Sequence, residues 1–578
     1  MTEDNLLEFN NFGFQYNAQS TPTLYDINLS LRRGERILIA GPSGCGKSTL
    51  VHCINGLIPF SYKGEMTGSI RIKGRETRDL GMFEISKSVG TVLQDTDAQF
   101  VGMTVAEDIA FALENDCVKD PELHARVERA AAMVDIGSYL NHAPGQLSGG
   151  QKQRVSVAGV LVDDVDILIF DEPLANLDPA TGKQAIELID KMQEETGAAV
   201  IIVEHRLEDV LHRSVDRIVL MWQGRIRADI SPDELLSGSL LAECGIREPL
   251  YITALKYAQV AIRPETEPAS IRTIRLDEED RERVRTWYRS VGPAPDKKIT
   301  DDLLKAEEID FTYETGKVHA LKEISLLIRK GEMTAIVGTN GAGKSTFAKV
   351  ICGFEKESGG RLLYKGVDMG DQTIKERAER IGYVMQNPNQ MISKVFVYDE
   401  VALGLRSRGA DEDEISRRVE KALKICGLWR MRKWPVSALS YGQKKRVTVA
   451  AILTLEPEMI ILDEPTAGQD YRHYTEIMEF LSELNRNGIT IVMVTHDMHL
   501  MLEYADRAVV FSQGRIIADD KPYNILTDAG IIKEASLKET SLYELALKCG
   551  IDDGTDFVKH FIDHERRNVR EAMNDQPL

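Results

Sequence analysis

Gly41-Pro42-Ser43-Gly44-Cys45-Gly46-Lys47-Ser48-Thr49 decides how this chain is read, and it has a twin, Gly338-Thr339-Asn340-Gly341-Ala342-Gly343-Lys344-Ser345-Thr346. Both fit G-x-x-x-x-G-K-[ST], a loop whose backbone N–H groups cradle phosphate. Each follows a short apolar run, 37–40 or 335–337, that reads as a buried strand, and each precedes a segment able to form a helix. Glycines let the backbone wrap the anion, and the following helix points its positive end at it. In such a loop Lys47 and Lys344 reach the β- and γ-phosphates, and Ser48 and Ser345 coordinate Mg²⁺. A single match has a bland alternative, a glycine-rich turn between strand and helix. Two full matches in the same context make that alternative remote. Cys45 lies inside the first loop, so alkylation there is expected to block nucleotide.

The surrounding composition is that of ordinary globular protein, with 43% apolar and 28% charged residues. At 578 residues the chain is too long for one core. A net charge of −20 argues against a large nucleic-acid surface. The seven cysteines are scattered without a C-x-x-C pair, which points to reduced thiols and away from zinc or iron–sulfur modules. No apolar run approaches the ~18–20 residues that span a bilayer, and the first residues lack the features of a signal peptide. Any membrane role is therefore expected to come through a partner.

The spacing around the two loops repeats. Tyr16 and Tyr313 each lie 31 residues before the loop lysine; Gln94 to Ser148 and Gln386 to Ser440 are both 54 residues. Ser148 to Glu172 and Ser440 to Glu464 are both 24, while Glu172 to His205 is 33 and Glu464 to His496 is 32. Two copies of one unit are expected, at 5–265 and 303–550, joined by a linker at 266–302 and followed by a charged tail at 551–578. The linker carries prolines at both ends and a charged stretch that suits a short helix. Fully extended it spans on the order of 120 Å. Leu250-Tyr-Ile-Thr-Ala-Leu-Lys256 answers Leu542-Tyr-Glu-Leu-Ala-Leu-Lys548, so each copy has its own C-terminal helical extension. Apolar runs alternate with helical patterns in each copy, which predicts an α/β fold with a mostly parallel sheet buried on both faces. The stretches between Gln94 and Ser148 and between Gln386 and Ser440 read as mainly helical. His560 and His564, four apart, have a metal-binding spacing, but without a third ligand they read as residues of a solvated helix.

Two strands end in paired acids, Asp171-Glu172 and Asp463-Glu464. The aspartate suits Mg²⁺, and the glutamate suits orienting and deprotonating a water. Leu147-Ser148-Gly149-Gly150-Gln151 opens a helix and makes a second anion site. That site is superfluous to its own copy's loop and makes sense if it caps nucleotide held by another copy.

With this stretch the chain resembles the ABC transporter ATPases, whose signature is LSGGQ, and the resemblance covers both copies. It implies a head-to-tail sandwich with two ATP sites at the seam: the Lys47 loop facing Ser440, Gly442 and Gln443, and the Lys344 loop facing Ser148. It further implies that Tyr16 and Tyr313 stack on adenine and that Gln94 and Gln386 contact Mg²⁺ and the attacking water and relay to a membrane partner. His205 and His496 would bind the γ-phosphate, and Asp178 and Asp470 match the loop that communicates across the seam. The second signature departs from the pattern at Tyr441, where loss of a glycine is expected to cost conformational freedom. Both sites are expected to hydrolyse ATP, at unequal rates.

Local strings, among them Val203-Glu-His-Arg206, Gln386-Asn-Pro-Asn-Gln390 and Leu439-Ser-Tyr-Gly-Gln-Lys-Lys-Arg446, look like the ATPases of energy-coupling factor transporters, importers of vitamins and of cobalt or nickel ions. That likeness implies a transmembrane coupling protein and a small substrate-binding membrane protein as partners, and a place at the cytoplasmic face of the membrane. The alternatives are tandem sugar-importer ATPases, whose second copy is usually degenerate, and soluble tandem ATPases acting on ribosomes. The latter favour Glu where Gln151 and Gln443 stand.

Overall fold

The computed structural model describes residues 5–93, 99–175, 177–292, 301–314, 318–467 and 469–574, with side chains of the last helix as far as 568. The chain divides into two compact units, Met1–Val284 and Arg285–Leu578.

In the first unit a six-stranded sheet runs in the order Arg225–Ile230, Arg217–Trp222, Arg36–Ala40, Ala199–Val203, Ile167–Asp171, Val89–Val92. All pairings are parallel except the first. The second unit repeats this order with Arg515–Asp520, Arg507–Ser512, Met333–Gly338, Thr490–Val494, Met459–Asp463 and Ile381–Val384. Ile37 to Ala40 and Ile167 to Phe170 are at most 1% exposed, as continuous β-branched and leucine runs require when helices or a second sheet cover both faces. Burying each such side chain contributes about 1.5–3 kcal/mol. A smaller antiparallel sheet built on Asn5–Tyr16, with Leu24–Arg32 and Gly64–Ile72 beside it, covers one face in the first unit. Asp302–Tyr313 does the same in the second.

Both stretches expected to be helical contain helices. They are Val105–Asn115 and Glu122–Met133 in one unit, and Val397–Ser407 and Glu412–Ile425 in the other; the helices Gly149–Leu161 and Tyr441–Leu453 follow directly. The matched C-terminal strings form the helices Leu250–Tyr257 and Ser541–Lys548.

One region differs from its sequence reading. Residues after 551 form the helix Gly554–Asn574, and its Phe557, Val558 and Phe561 are fully buried. The apolar residues recur at helical spacing inside a charged segment, so composition hides the face. His560 is 8% exposed rather than solvated. Its ring lies edge-on to Tyr288 at 5.0 Å, and its Nδ1 meets the Asp556 carbonyl at 2.8 Å. The charged stretch of the expected linker is the helix Glu278–Ser290. Its C-terminal end packs on this same helix through Trp287, at 5.9 Å from Phe557, and through the Tyr288 hydroxyl, which donates to Asp556 at 2.6 Å.

Candidate active sites

The topology alone brings the chemistry together. The phosphate loop, the paired acids and the histidine each follow a different parallel strand, and those three strands are neighbours. Register pairs Val203 with both Ile39 and Asp171, and Val494 with both Ile336 and Asp463. Ligands of open α/β sheets sit outside the carboxyl ends of such strands.

Gly41 has φ +158° and Gly46 φ +106°. A Cβ on Gly41 would lie 2.5 Å from the Met221 carbonyl oxygen. Gly44, at φ +75°, has nothing within 4 Å, which leaves its side of the loop open. Lys47 is buried, and its Nζ donates to Gly41 O at 2.7 Å and Pro42 O at 3.0 Å. Lys344 does the same to Gly338 O at 2.8 Å and Thr339 O at 2.9 Å. The lysine thus straps its own loop. The Cys45 thiol is 4% exposed beneath Gly41, which leaves little surface for the expected alkylation. The hydroxyls of Tyr16 and Tyr313 sit 3.1 Å from Thr49 Oγ1 and Thr346 Oγ1, so each ring is tied to the first turn of the phosphate-loop helix.

Glu172 and Glu464 have φ of +49° and +47°, a conformation that is uncommon outside glycine and concentrates at functional sites. Their N–H groups donate to Val203 O and Val494 O, each at 2.9 Å, which holds the turn to the next strand. The carboxylates meet the histidines: His205 Nε2 is 2.8 Å from Glu172 Oε1, and His496 Nδ1 is 2.7 Å from Glu464 Oε1. The first contact is a close ion pair without hydrogen-bond alignment, since His205 Nε2 finds no aligned acceptor. Burial works to raise Glu172 and to lower His205, but the pairing outweighs it. Glu172 is held below the usual carboxylate range and His205 above the usual imidazole range. The glutamate is therefore ionised near neutral pH, as a base must be.

Asp171 is pushed up to about 6, first by burial and then by the charge of Glu172, with Lys47 opposing. Asp463 is raised by burial and by Glu464, and is offset by hydrogen bonds from Tyr383 (3.1 Å) and Ser345 (3.3 Å) and by the Lys445 charge. Hydroxyl and carboxylate oxygens suit a hard divalent cation, and a carboxyl raised by its own neighbour gains from one. Ser345 and Asp463 stand together as that use requires, and Ser48 is exposed.

Gln94 lies outside the described residues. Gln386 is exposed, and its carbonyl accepts from Tyr441 and Lys445. Ser148 and Ser440 are N-caps, paired in capping boxes with Gln151 and Gln443, which gives the S-x-x-Q pattern a purely local use as well. Tyr441 is not at positive φ, and its counterpart Gly149 has open space where a Cβ would go. The expected conformational cost of this tyrosine is absent, because the first helical turn suits any side chain here. Asp178 and Asp470 are buried N-caps of the helices Pro179–Thr196 and Tyr471–Arg486, so their structural duty is local to each unit.

Sequence reasoning passed over Glu204. It is 2% exposed and accepts from the N–H groups of Leu174, His205 and Arg206. Its counterpart Thr495 donates to Glu464 Oε2 at 3.2 Å. An acid directly before His205 was the available signal.

The sequence model of the ABC transporter family matches residues 24–175 and 321–467, and one described as an ATP-binding cassette cobalt transporter matches 238–311. An ABC transporter ATP-binding protein of Clostridium perfringens is 58% identical over 97% of this chain and 98% of its own length. One of Enterococcus faecalis is 52% identical over the same shares. The solved structure of cbiO1 from Clostridium perfringens, described as part of the ABC transporter complex cbiONQ, is 40% identical over 40% of this chain and 94% of that one, with a TM-score of 0.38. Two phosphate loops, two acid pairs and two signatures on one polypeptide agree with the family match and the two relatives, and the chain belongs to the ABC transporter ATP-binding family as a tandem of two ATPase units.

Proposed function

We propose that this chain is the ATP-hydrolysing subunit of a membrane importer of the energy-coupling factor type, serving uptake of a vitamin, a thiamine precursor or a metal ion. The observation that carries the transport reading is a set of large apolar side chains left exposed in the stretch between each glutamine and its signature. Met103 is 83% exposed, Val101 64% and Phe111 44% in one unit; Val395 is 68% and Phe396 46% in the other. Large apolar side chains exposed along one stretch suit an interaction surface. Helices of a transmembrane coupling protein would lie there, with a small substrate-binding membrane protein attached to that partner. No described helix of this chain is long and apolar enough to cross a membrane. The cobalt-transporter description of the family at 238–311 supports the energy-coupling subtype.

In this mechanism the two units close head to tail on two ATP molecules, and hydrolysis with phosphate release opens them. Lys47 and Lys344 exchange their loop carbonyls for phosphate oxygens. Ser48 with Asp171, and Ser345 with Asp463, would hold Mg²⁺ with help from Gln94 and Gln386, and the cation would supply charge neutralisation of the phosphates. Glu172 and Glu464 take a proton from water, and His205 and His496 hold the γ-phosphate. Tyr16 and Tyr313 receive the adenine. Keeping both units in one chain raises their effective concentration for closure.

Tagged chain extracted from membranes in detergent is expected to bring down an integral membrane protein, and Met103→Glu with Phe396→Glu is expected to release it without loss of ATP binding. Recovery of ribosomal particles instead would replace this reading with that of a soluble translation ATPase.

A further inference from the structure

The helix Tyr441–Leu453, which opens with the second signature, reaches two catalytic loops of its own unit through one side chain. Lys445 is 2% exposed. Its ammonium donates to Gln386 O at 2.7 Å, to Glu464 O at 3.2 Å and to Met385 O at 3.3 Å. The Tyr441 hydroxyl donates to the same Gln386 oxygen at 3.1 Å. An ammonium has three donors and no acceptor, and here all of them end on backbone carbonyls. A buried cation is costly unless it is compensated. Three carbonyls and the adjoining Asp463 and Glu464 carboxylates offset part of that cost, while burial still holds the ammonium below the usual lysine range. In the first unit the matching residue is Gln153, a neutral amide that reaches Pro173 O at 2.7 Å. A small apolar residue would pack this position at lower cost, so the cation calls for another reason.

We propose that Lys445, assisted by Tyr441, is a positioning residue that binds the signature helix, the Gln386 loop and the Glu464 loop of the second unit into one body. A shift of the signature then moves the catalytic glutamate beside it. The inference rests on the function proposed above, in which Ser440 engages nucleotide held by the Lys47 loop while Glu464 serves nucleotide held by the Lys344 loop. Occupancy of one site thereby sets the geometry of the base at the other. Charge-assisted bonds are the stronger class, and a compact ammonium meets three convergent oxygens where a planar guanidinium does not.

The test is steady-state ATP hydrolysis in a Glu172→Gln background, where Glu464 supplies the turnover. Lys445→Met keeps the unbranched apolar stem to the ε position and removes all three bonds. It is expected to lower kcat by about tenfold, the scale of one charge-assisted hydrogen bond, while KM for ATP moves by less than about twofold, since the phosphate loop is untouched. Lys445→Gln is expected to recover part of kcat by reaching one carbonyl, as Gln153 does. Tyr441→Phe removes one bond from an exposed ring without disturbing the core, and kcat is expected to fall by about two- to threefold. Unchanged kcat in both Lys445→Met and Tyr441→Phe would overturn the proposal, as would a rise in KM alone. If the Glu172→Gln parent turns over no faster than Glu172→Gln with Glu464→Gln, Glu464 is not a working base. The function reading then fails first, and the positioning role falls with it.

Discussion

Replacing Glu172 and Glu464 together by Gln is expected to lower ATP turnover by about 10²–10⁴-fold, the usual worth of a positioned general base, with ATP still bound. Glutamine fills the same volume and still meets the histidine, but it takes no proton from water. The backbone already holds each glutamate at a positive φ and ties it to the neighbouring strand, so the change removes chemistry and leaves the turn intact. Each single replacement is expected to leave activity from the other site, and the two residual rates are expected to differ. The surroundings give the reason. Glu172 stands beside an aspartate that burial and Glu172 itself push up to about 6, with a second buried acid, Glu204, nearby. Glu464 also stands beside a raised aspartate, Asp463, but has a threonine hydroxyl on its carboxylate and a buried lysine on its carbonyl. Complete loss from one replacement and none from the other would refute two working sites.

The second large effect is structural. Gly338→Ala is expected to destabilise the second unit by about 2 kcal/mol or more and to abolish ATP binding at the Lys344 loop. The added Cβ would lie 2.0 Å from the Phe511 carbonyl oxygen, at φ +136°. Backbone oxygen cannot swing aside as a side-chain tip can, so either the loop or the strand Arg507–Ser512 must move. Lys344 is anchored on Gly338 O itself, so its ammonium moves with the loop. Gly341→Ala is the internal control. Its φ of +78° is unfavourable, but nothing lies within 4 Å, and about 1 kcal/mol of backbone strain is expected. Thermal unfolding with ATP titration of the two variants separates clash from strain. Equal behaviour of the two would contradict this account of the loop.

The parts that were legible in the sequence are those in which chemistry and local geometry share a short stretch. A phosphate loop between an apolar run and a helix is one such part. An acid pair at the end of four buried apolar residues is another. The matched spacings then disclosed the tandem. What stayed hidden depends on contacts between distant stretches. That Lys445 bonds a loop some 60 positions earlier could not be read from Leu439-Ser-Tyr-Gly-Gln-Lys-Lys-Arg446, because lysine there looks like any helix-surface charge. Tyr441 looked costly by analogy with glycine, whereas the helix start imposes no positive φ. The helix Gly554–Asn574 was concealed by its own charges. Asp178 and Asp470 carried a double meaning that sequence cannot resolve, since a capping aspartate and a communicating one are the same residue type at the same place.

Each nucleotide is proposed to be gripped by the loop of one unit and the signature of the other, and vanadate photocleavage reads that arrangement most directly. In a Lys344→Ala chain only the Lys47 loop can trap the vanadate–nucleotide complex, and irradiation cuts the backbone lying against the vanadate. Fragments from cuts near Ser48 and near Ser440, with Ser148 intact, are expected. Cuts near Ser48 and Ser148, with Ser440 intact, would show each unit closing on its own nucleotide and would contradict that arrangement.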